Sequence, residues 1–262
     1  MSPTNSFSGR HALVCGASAG IGRAAAFALA AGGAQLTLLA RRTDRLSEMI
    51  PLLIEAGAES ATALTADLDD RPGLAKALDG LIAQAPVHIL IHNTGGPPAG
   101  PLLKAELSAF ETAFGRHVLA GQLMVQKLVP GMMEAGYGRI INVVSTSVKE
   151  PIPNLGVSNT IRGAVASWAK SLSRELPPGI TINNILPGFT DTERLGNLKK
   201  AVAQRTGKAE EQVFADWIAQ VPEGRLAQPE ELAAAIAFLA SPAAGYIRGV
   251  SLPVDGGRLR SI

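Results

Sequence analysis

Residues 11–22 read HALVCGASAGIG, and this stretch decides the fold. A short, mainly apolar run at 11–15 leads into a glycine-rich turn, and an alanine-rich stretch then continues to residue 31. This order predicts a β-strand that passes through the turn into an α-helix. The unpaired N–H groups and the dipole at the start of such a helix favour an anion. The sequence therefore predicts an anion-binding turn at the start of an α/β fold.

The same alternation of strand and helix continues along the whole chain. Strands are predicted at 11–15, 35–40, 61–65, 87–92, 139–144, 181–185 and 250–254, and helices at 21–31, 44–55, 72–84, 108–133, 157–176 and 229–239. Strands separated by helices of ten or more residues predict right-handed crossovers and a parallel sheet covered on both faces. We therefore expect a doubly wound α/β fold of the Rossmann type, formed by residues 1–262 as one domain.

Residues 190–222 interrupt this pattern with a more polar stretch. We interpret it as a mobile helical flap over a substrate site, of the kind that excludes water when it closes. The alternative is an ordinary surface excursion.

Composition excludes several classes of partner. The chain has 24 basic and 22 acidic residues, a net charge of +2, and no clustered basic patch, so neither a nucleic acid nor a membrane surface is expected to bind. A small molecule is the expected partner. Cys15 is the single cysteine, which suits a reducing compartment. The first residues lack the basic start and apolar core of a targeting segment, and no apolar run approaches the ~18 residues of a membrane span. We therefore expect a cytoplasmic protein. No cluster of histidine or acidic residues has the spacing of metal ligands, so no metal site is predicted.

The glycine turn has the context of a dinucleotide-binding site, because it follows a strand and opens a helix. We expect the pyrophosphate to lie against Gly16, Ser18, Gly20, Ile21 and Gly22. At the end of the second strand, where an acid would bind the ribose of NAD, the chain has Arg41 and Arg42. Guanidinium groups can pair with a 2′-phosphate, which favours NADP(H), with NAD(H) a second possibility. The alternative is that both arginines cap a solvated loop.

Asp67 and Leu68 follow the third strand, where they would lie beside the adenine. An aspartate at this position is equally well explained as the N-cap of the next helix.

The chain carries, in this order, the glycine turn, His92-Asn93-Thr94-Gly95, Asn183, Pro187-Gly188 and Asp255-Gly256-Gly257. Together these motifs resemble the short-chain dehydrogenase/reductase family. Residues 138–142, and residues 229–231 leading to 238–241, resemble in particular its 3-oxoacyl carrier-protein reductase branch. The resemblance implies a nicotinamide-dependent oxidoreductase with further cofactor contacts at Asn93, Gly95, Pro187, Gly188, Thr190 and Thr192. It also implies a homodimer or homotetramer that pairs the helices at 108–133 and 157–176.

The resemblance gives Ser145 the family's catalytic serine position, but the catalytic tyrosine and lysine positions hold Ser158 and Arg162. An aliphatic hydroxyl is a far weaker acid than a phenol, whose pKa is ~10. Arg162 keeps its proton, yet it can still bind the nicotinamide ribose. The position of the family's relay asparagine holds His117. Our hypothesis is that His117 carries the proton through Ser158 or a water; a buried structural histidine is the alternative.

Three classes of function remain open at this point. The leading one is an NADP(H)-dependent oxidoreductase acting on a small carbonyl, enone or acyl-thioester-type substrate through an atypical site. The second is a non-catalytic NADP(H)-binding protein, either a redox sensor or an assembly subunit. The third, a lyase of the halohydrin dehalogenase kind, fits poorly because such proteins keep the tyrosine and lose the glycine turn.

Overall fold

In the computed structural model, which describes residues 6–261, seven parallel strands form one sheet in the order β3-β2-β1-β4-β5-β6-β7. They are β1 (His11–Cys15), β2 (Gln35–Ala40), β3 (Ser60–Thr65), β4 (Ile89–Asn93), β5 (Gly138–Val143), β6 (Ile180–Pro187) and β7 (Ser251–Val254). The strand order reverses between β1 and β4, and the crevice at such a reversal is where doubly wound sheets bind ligands.

Helices cover both faces of the sheet. Within the described residues they are α1 (Gly20–Ala31), α2 (Thr43–Glu55), α3 (Arg71–Ile82), α4 (Leu107–Phe114), α5 (Ala120–Glu134), α6 (Gly156–Glu175), α7 (Glu193–Thr206), α8 (Glu210–Ile218) and α9 (Pro229–Ala240). One core joins the sheet to α1, α2 and α9, and the other joins it to α3, α5 and α6. The predicted single-domain, doubly wound Rossmann fold is confirmed.

Two segments differ in detail from the predicted elements. The helix predicted at 108–133 is divided into α4 and α5 by a π-helical turn, Gly115–Leu119, which carries His117. Residues 190–222 contain two helices, α7 and α8. Gly207 ends α7 in the left-handed region, with φ 70°, and thereby separates it from α8.

A ladder of polar side chains crosses four adjacent strands of the sheet. His92, Asn142, Asn184 and Ser251 lie directly opposite one another on β4, β5, β6 and β7. Asn142 Nδ2 donates to Asn184 Oδ1 at 2.9 Å, and Asn184 Nδ2 donates to Ser251 Oγ at 3.0 Å. The side-chain oxygen of Asn142, Oδ1, lies 3.2 Å from His92 Nδ1. Because an amide oxygen only accepts hydrogen bonds, Nδ1 carries the imidazole proton. The ladder thus provides partners for the buried side-chain amides of Asn142 and Asn184.

None of the helices formed by residues 6–261 is long and apolar enough to cross a membrane.

Candidate active site and cofactor cleft

A cavity of about 1010 Å³ opens where β4, β5 and β6 end. Its walls come from the segments that follow these three strands, from the start of α6, from one face of α7 along its length and from the end of α8. Of the residues predicted for the site, it brings together Ile21, Asn93, Ser145, Ser158, Arg162, Pro187, Gly188, Thr190 and Thr192. Catalytic and cofactor positions predicted from distant parts of the sequence therefore share one cleft.

The glycine turn is held tightly between β1 and the end of β4. Gly16 has φ 61°, a conformation that favours glycine. Asn93 Nδ2 donates to the carbonyl oxygen of Gly16 at 3.4 Å. A Cβ on Gly22 would lie only 2.2 Å from that same oxygen. The close approach of Gly16 to Gly22 requires glycine at this position of α1.

The start of α1 is suited to an anion. Its N-cap residue, Ala19, provides no side-chain hydrogen bond, and the first turn has no acidic residue. The N–H groups at this helix end are therefore left without a side-chain cap and attract negative charge. Thr192 closes the opposite side, with its Cγ2 atom 3.2 Å from where a Cβ on Gly20 would lie. The residues present thus fit the pyrophosphate of a dinucleotide.

The two arginines after β2 lie beside the glycine turn and the end of β3. Arg42 Nη2 donates to Ser18 Oγ at 3.4 Å, and Arg41 Nη1 lies 3.9 Å from Asp67 Oδ2. Both arginines are exposed, and the side chain of Leu68 is buried in the core. The N-cap of α3 is Asp70, so the interpretation of Asp67 as that cap is wrong. Asp67 instead accepts a hydrogen bond from the N–H of Asp69 in a turn.

Ser158 and Arg162 lie one turn apart on α6, and both are buried while lining the cavity. Arg162 Nη1 donates to the carbonyl oxygen of Val143 at 2.9 Å, and its Nε has no partner among the described residues. Burial, and then the nearby Arg194, lower the pKa of Arg162 to about 9, so it stays charged at neutral pH. Ser145 Oγ accepts from the N–H of Ser147 at 3.0 Å. That bond leaves the hydroxyl proton of Ser145 available to a ligand.

His117 contacts Thr94 rather than Ser158. Its Nδ1 lies 2.5 Å from Thr94 Oγ1, and Thr94 lines the cavity while His117 does not. Burial, followed by the charge of Arg162, lowers the pKa of His117 to about 2. His117 is therefore a neutral imidazole at physiological pH. Its role in proton transfer stays a hypothesis, and the contact that links it to the cavity is Thr94.

Comparison with known proteins agrees with this arrangement. The family model described as enoyl-(acyl carrier protein) reductase matches residues 16–258, nearly the whole chain. This chain belongs to the short-chain dehydrogenase/reductase family. The family identifies it as an oxidoreductase.

Relatives of this short-chain dehydrogenase/reductase match it from end to end. A 3-oxoacyl-[acyl-carrier-protein] reductase of Vibrio cholerae is 33% identical, covering 95% of this chain and 97% of its own. An NADPH-dependent reductase of Bacillus subtilis is 30% identical, covering 97% and 99%. The L-sorbose reductase of Gluconobacter frateurii, solved with NADPH and L-sorbose, superposes with a TM-score of 0.92 at 28% identity over 100% of both chains.

Four arginines of this short-chain dehydrogenase/reductase line the cavity without having been predicted as site residues: Arg116, Arg194, Arg205 and Arg258. Arg258 Nη1 donates to Thr146 Oγ1 at 3.1 Å, and its guanidinium lies 4.7 Å from the centre of the Phe189 ring. Arg194, in the first turn of α7, reaches across the cleft to Gly96, where a Cβ would lie 2.4 Å from its Nη2. Helical spacing could have indicated Arg194, because it lies four residues before the cavity residue Leu198. No local pattern indicated Arg258.

Proposed function

We propose that this oxidoreductase uses NADP(H) to reduce or oxidise a small carbonyl, enone or acyl-thioester-type substrate through an atypical site that lacks the family's tyrosine and lysine. The observation that carries the proposal is that one cavity holds Ser145, Ser158 and Arg162 next to the glycine turn. The bound nicotinamide would supply or accept the hydride, and the chain would orient the substrate and stabilise charge on its oxygen.

The charges around the cleft support NADP(H) as the cofactor. Arg41 and Arg42 are exposed and lie where a 2′-phosphate would extend from the glycine turn, near Ser18 and Asp67. Relatives agree, since the similar Bacillus subtilis protein is an NADPH-dependent reductase and the similar sorbose reductase was solved with NADPH. The residues that would hold the rest of the cofactor are Gly16, Gly20, Gly22, Asn93, Gly95, Arg162, Pro187, Gly188, Thr190 and Thr192.

The three catalytic candidates supply hydrogen bonds and charge rather than a strong acid. The hydroxyls of Ser145 and Ser158 would donate to the substrate oxygen, and the Arg162 cation would stabilise negative charge that develops there. The proton would come from water or from the Thr94–His117 pair. A substrate that stabilises its own anion, such as an enone or an enoyl thioester, lowers the demand for an acid.

Replacing both Arg41 and Arg42 by alanine is expected to weaken NADPH binding by ~10- to 100-fold, because each guanidinium would form charge-assisted hydrogen bonds with the 2′-phosphate. NADH, which lacks that phosphate, should bind the variant and the wild type alike. Titration of nicotinamide fluorescence measures both. Arg45→Ala, an exposed arginine on α2 without a hydrogen bond or ion pair to the described residues, is the matched control. An equal loss for both cofactors would contradict the assignment.

Replacing Ser145 by alanine is expected to lower kcat by ~100-fold or more, since it removes one donor to the reacting oxygen. NADPH affinity should stay at the wild-type value. NADPH consumption with a panel of ketones, enones and acyl thioesters measures turnover, and Ser167→Ala, an exposed position on the same helix as Ser158, is the control. Unchanged kcat in the Ser145 variant would remove this residue from the site.

The same panel separates the second candidate, a non-catalytic NADP(H)-binding redox sensor or assembly subunit. What favours it is the replacement of two catalytic residues beside an intact glycine turn. NADPH binding without turnover of any panel member would support it.

We further propose that the chain forms a homodimer or homotetramer and that α7 and α8 act as the flap over the substrate. Leu103, Leu107, Phe114 and Leu119 expose apolar surface along the segment that includes α4, which supports association. Size-exclusion chromatography with light scattering tests the assembly.

A further inference from the structure

The charged residues that line the cavity, among those the structure describes, are all positive. Among the described residues that line it, none is an aspartate or a glutamate, whereas five are arginines: Arg116, Arg162, Arg194, Arg205 and Arg258. Cations gathered around a cleft repel one another and raise the local concentration of anions. Burial is the largest cause that lowers the pKa of Arg162 and of His117, and the charge of Arg194 adds to it in both cases. The described part of the cavity wall therefore favours a ligand with negative charge.

Three of these arginines already have protein partners. Arg116 forms an ion pair with the carboxylate of Asp69. Arg162 and Arg258 donate to Val143 and Thr146, as described above. Arg194 and Arg205 differ, since neither has a hydrogen bond or an ion pair with any residue in the described part of the chain. These two guanidinium groups remain available to a ligand.

Both available arginines lie on the cavity face of α7. This face has Arg194 and Arg205 at its two ends. Between them lie four apolar residues and one amide: Leu195, Leu198, Ala201, Val202 and Asn197. Eleven residues of helix separate the two arginines by about 16 Å, at ~1.5 Å per residue. The wall that α7 presents to the cavity is thus cationic at both ends and mainly apolar in the middle, where Asn197 is the one polar residue.

The two arginines are not equivalent toward the cofactor. Arg194 lies two residues after Thr192, which contacts the glycine turn, so the cofactor pyrophosphate is one anion within its reach. Arg205 lies about three helical turns further on, at ~3.6 residues per turn, in the last turn of α7. An anion bound by Arg205 must therefore come from another molecule.

We propose that the substrate is an organic acid whose carboxylate or phosphate binds the arginines of α7, Arg205 above all. Its apolar portion packs on Leu198, Ala201 and Val202, and its reacting oxygen points toward Ser145. This inference rests on the proposed oxidoreductase function and adds the substrate class to it.

The experiment compares acids with their uncharged esters. The probes are methyl-ketone acids of increasing length, from 4-oxopentanoate to 9-oxodecanoate, and the methyl ester of each; the length series locates the arginines relative to the reacting carbonyl. Binding to the full-length protein saturated with NADP⁺ is measured by calorimetry, which needs no turnover, and NADPH consumption is measured in parallel. We expect the best acid to bind at least ~10-fold more tightly than its ester.

Variants of α7 then test which residues cause the tighter binding of the acid than of its ester. Arg205→Gln is expected to remove most of it without changing NADPH affinity, and Arg194→Gln to weaken binding of both the acid and NADPH. Lys200→Gln removes a charge from an exposed position of α7 that does not line the cavity, and it should behave as the wild type.

Two results would overturn the inference: equal binding of acid and ester at every length, or a preference that survives in the Arg194→Gln/Arg205→Gln double variant. Failure of the wild type to bind NADPH would instead defeat the proposed function, so the two failures are distinguishable. A variant that binds NADPH or melts at the wild-type temperature is folded, and its loss of acid binding then supports the inference.

Discussion

A Gly22→Ala substitution is expected to reduce NADPH affinity by ~100-fold or more, because the loss of two hydrogen bonds to a charged group costs about 3 kcal/mol or more. The added Cβ would lie 2.2 Å from the carbonyl oxygen of Gly16 and 2.7 Å from Asn93 Nδ2. A backbone oxygen cannot rotate away, so the turn and the start of α1 must separate. The N–H groups that would face the pyrophosphate then lose their position. Fluorescence titration with NADPH measures the effect.

Gly80→Ala is the matched control for this variant. Gly80 lies inside α3, its φ is not positive, and nothing lies within 4 Å of an added Cβ. Alanine is the better helix former, so this change should stabilise the protein by about 0.5–1 kcal/mol and leave NADPH binding unchanged. Wild-type affinity in the Gly22 variant would show that the turn tolerates a side chain and that cofactor binding does not depend on the close approach of Gly16 to Gly22.

Acid is expected to destabilise the protein below pH 6.5, before its carboxylates begin to titrate. Burial is the largest cause that lowers the pKa of all four histidines, to about 4 for His92 and about 2 for His117. Below pH 6.5 the unfolded chain binds more protons at these histidines than the folded chain does, so stability falls as the pH falls. At pH 5, His92 and His117 should each reduce the free energy of unfolding by about 2 kcal/mol. Urea unfolding at several pH values between 7.5 and 5 measures this.

His117→Asn isolates one contribution to this acid sensitivity. The variant should lower the slope of unfolding free energy against pH, between pH 6.5 and 5, by up to about 1.4 kcal/mol per pH unit, the value for one proton. Asp69 and Glu231, whose pKa values are lowered by Arg116 and Arg225, lose their contributions only at lower pH. An unchanged slope in the variant would mean that His117 is protonated in the folded protein.

Most of the fold could be predicted because its signals are local. β1 and β2 have the predicted bounds, since each is a short apolar run with polar or glycine-rich flanks. The π-helical turn at Gly115–Leu119 was missed, because the apolar periodicity of 108–133 continues through it and one extra residue per turn leaves little trace in the pattern.

The site could be predicted only at positions that belong to recognisable sequence motifs. The family resemblance implies Ser145, Ser158 and Arg162 as site positions, and all three line the cavity. Arg258 and Thr94 could not be assigned a contact, because their partners, Phe189 and His117, are distant in sequence and meet them only when the sheet assembles. The contact of His117 with Thr94, which lines the cavity, could therefore be identified only from the structure.

The polar ladder across β4, β5, β6 and β7 also bears on how the sheet reaches its correct alignment. Each rung pairs His92, Asn142, Asn184 or Ser251 with its neighbour only when the strands are in the observed register. A slip of one residue would turn these side chains to the other face and leave buried amides without partners. The ladder should therefore favour the observed register during folding. A shifted register could keep many aliphatic contacts, but it would lose the hydrogen bonds of the ladder.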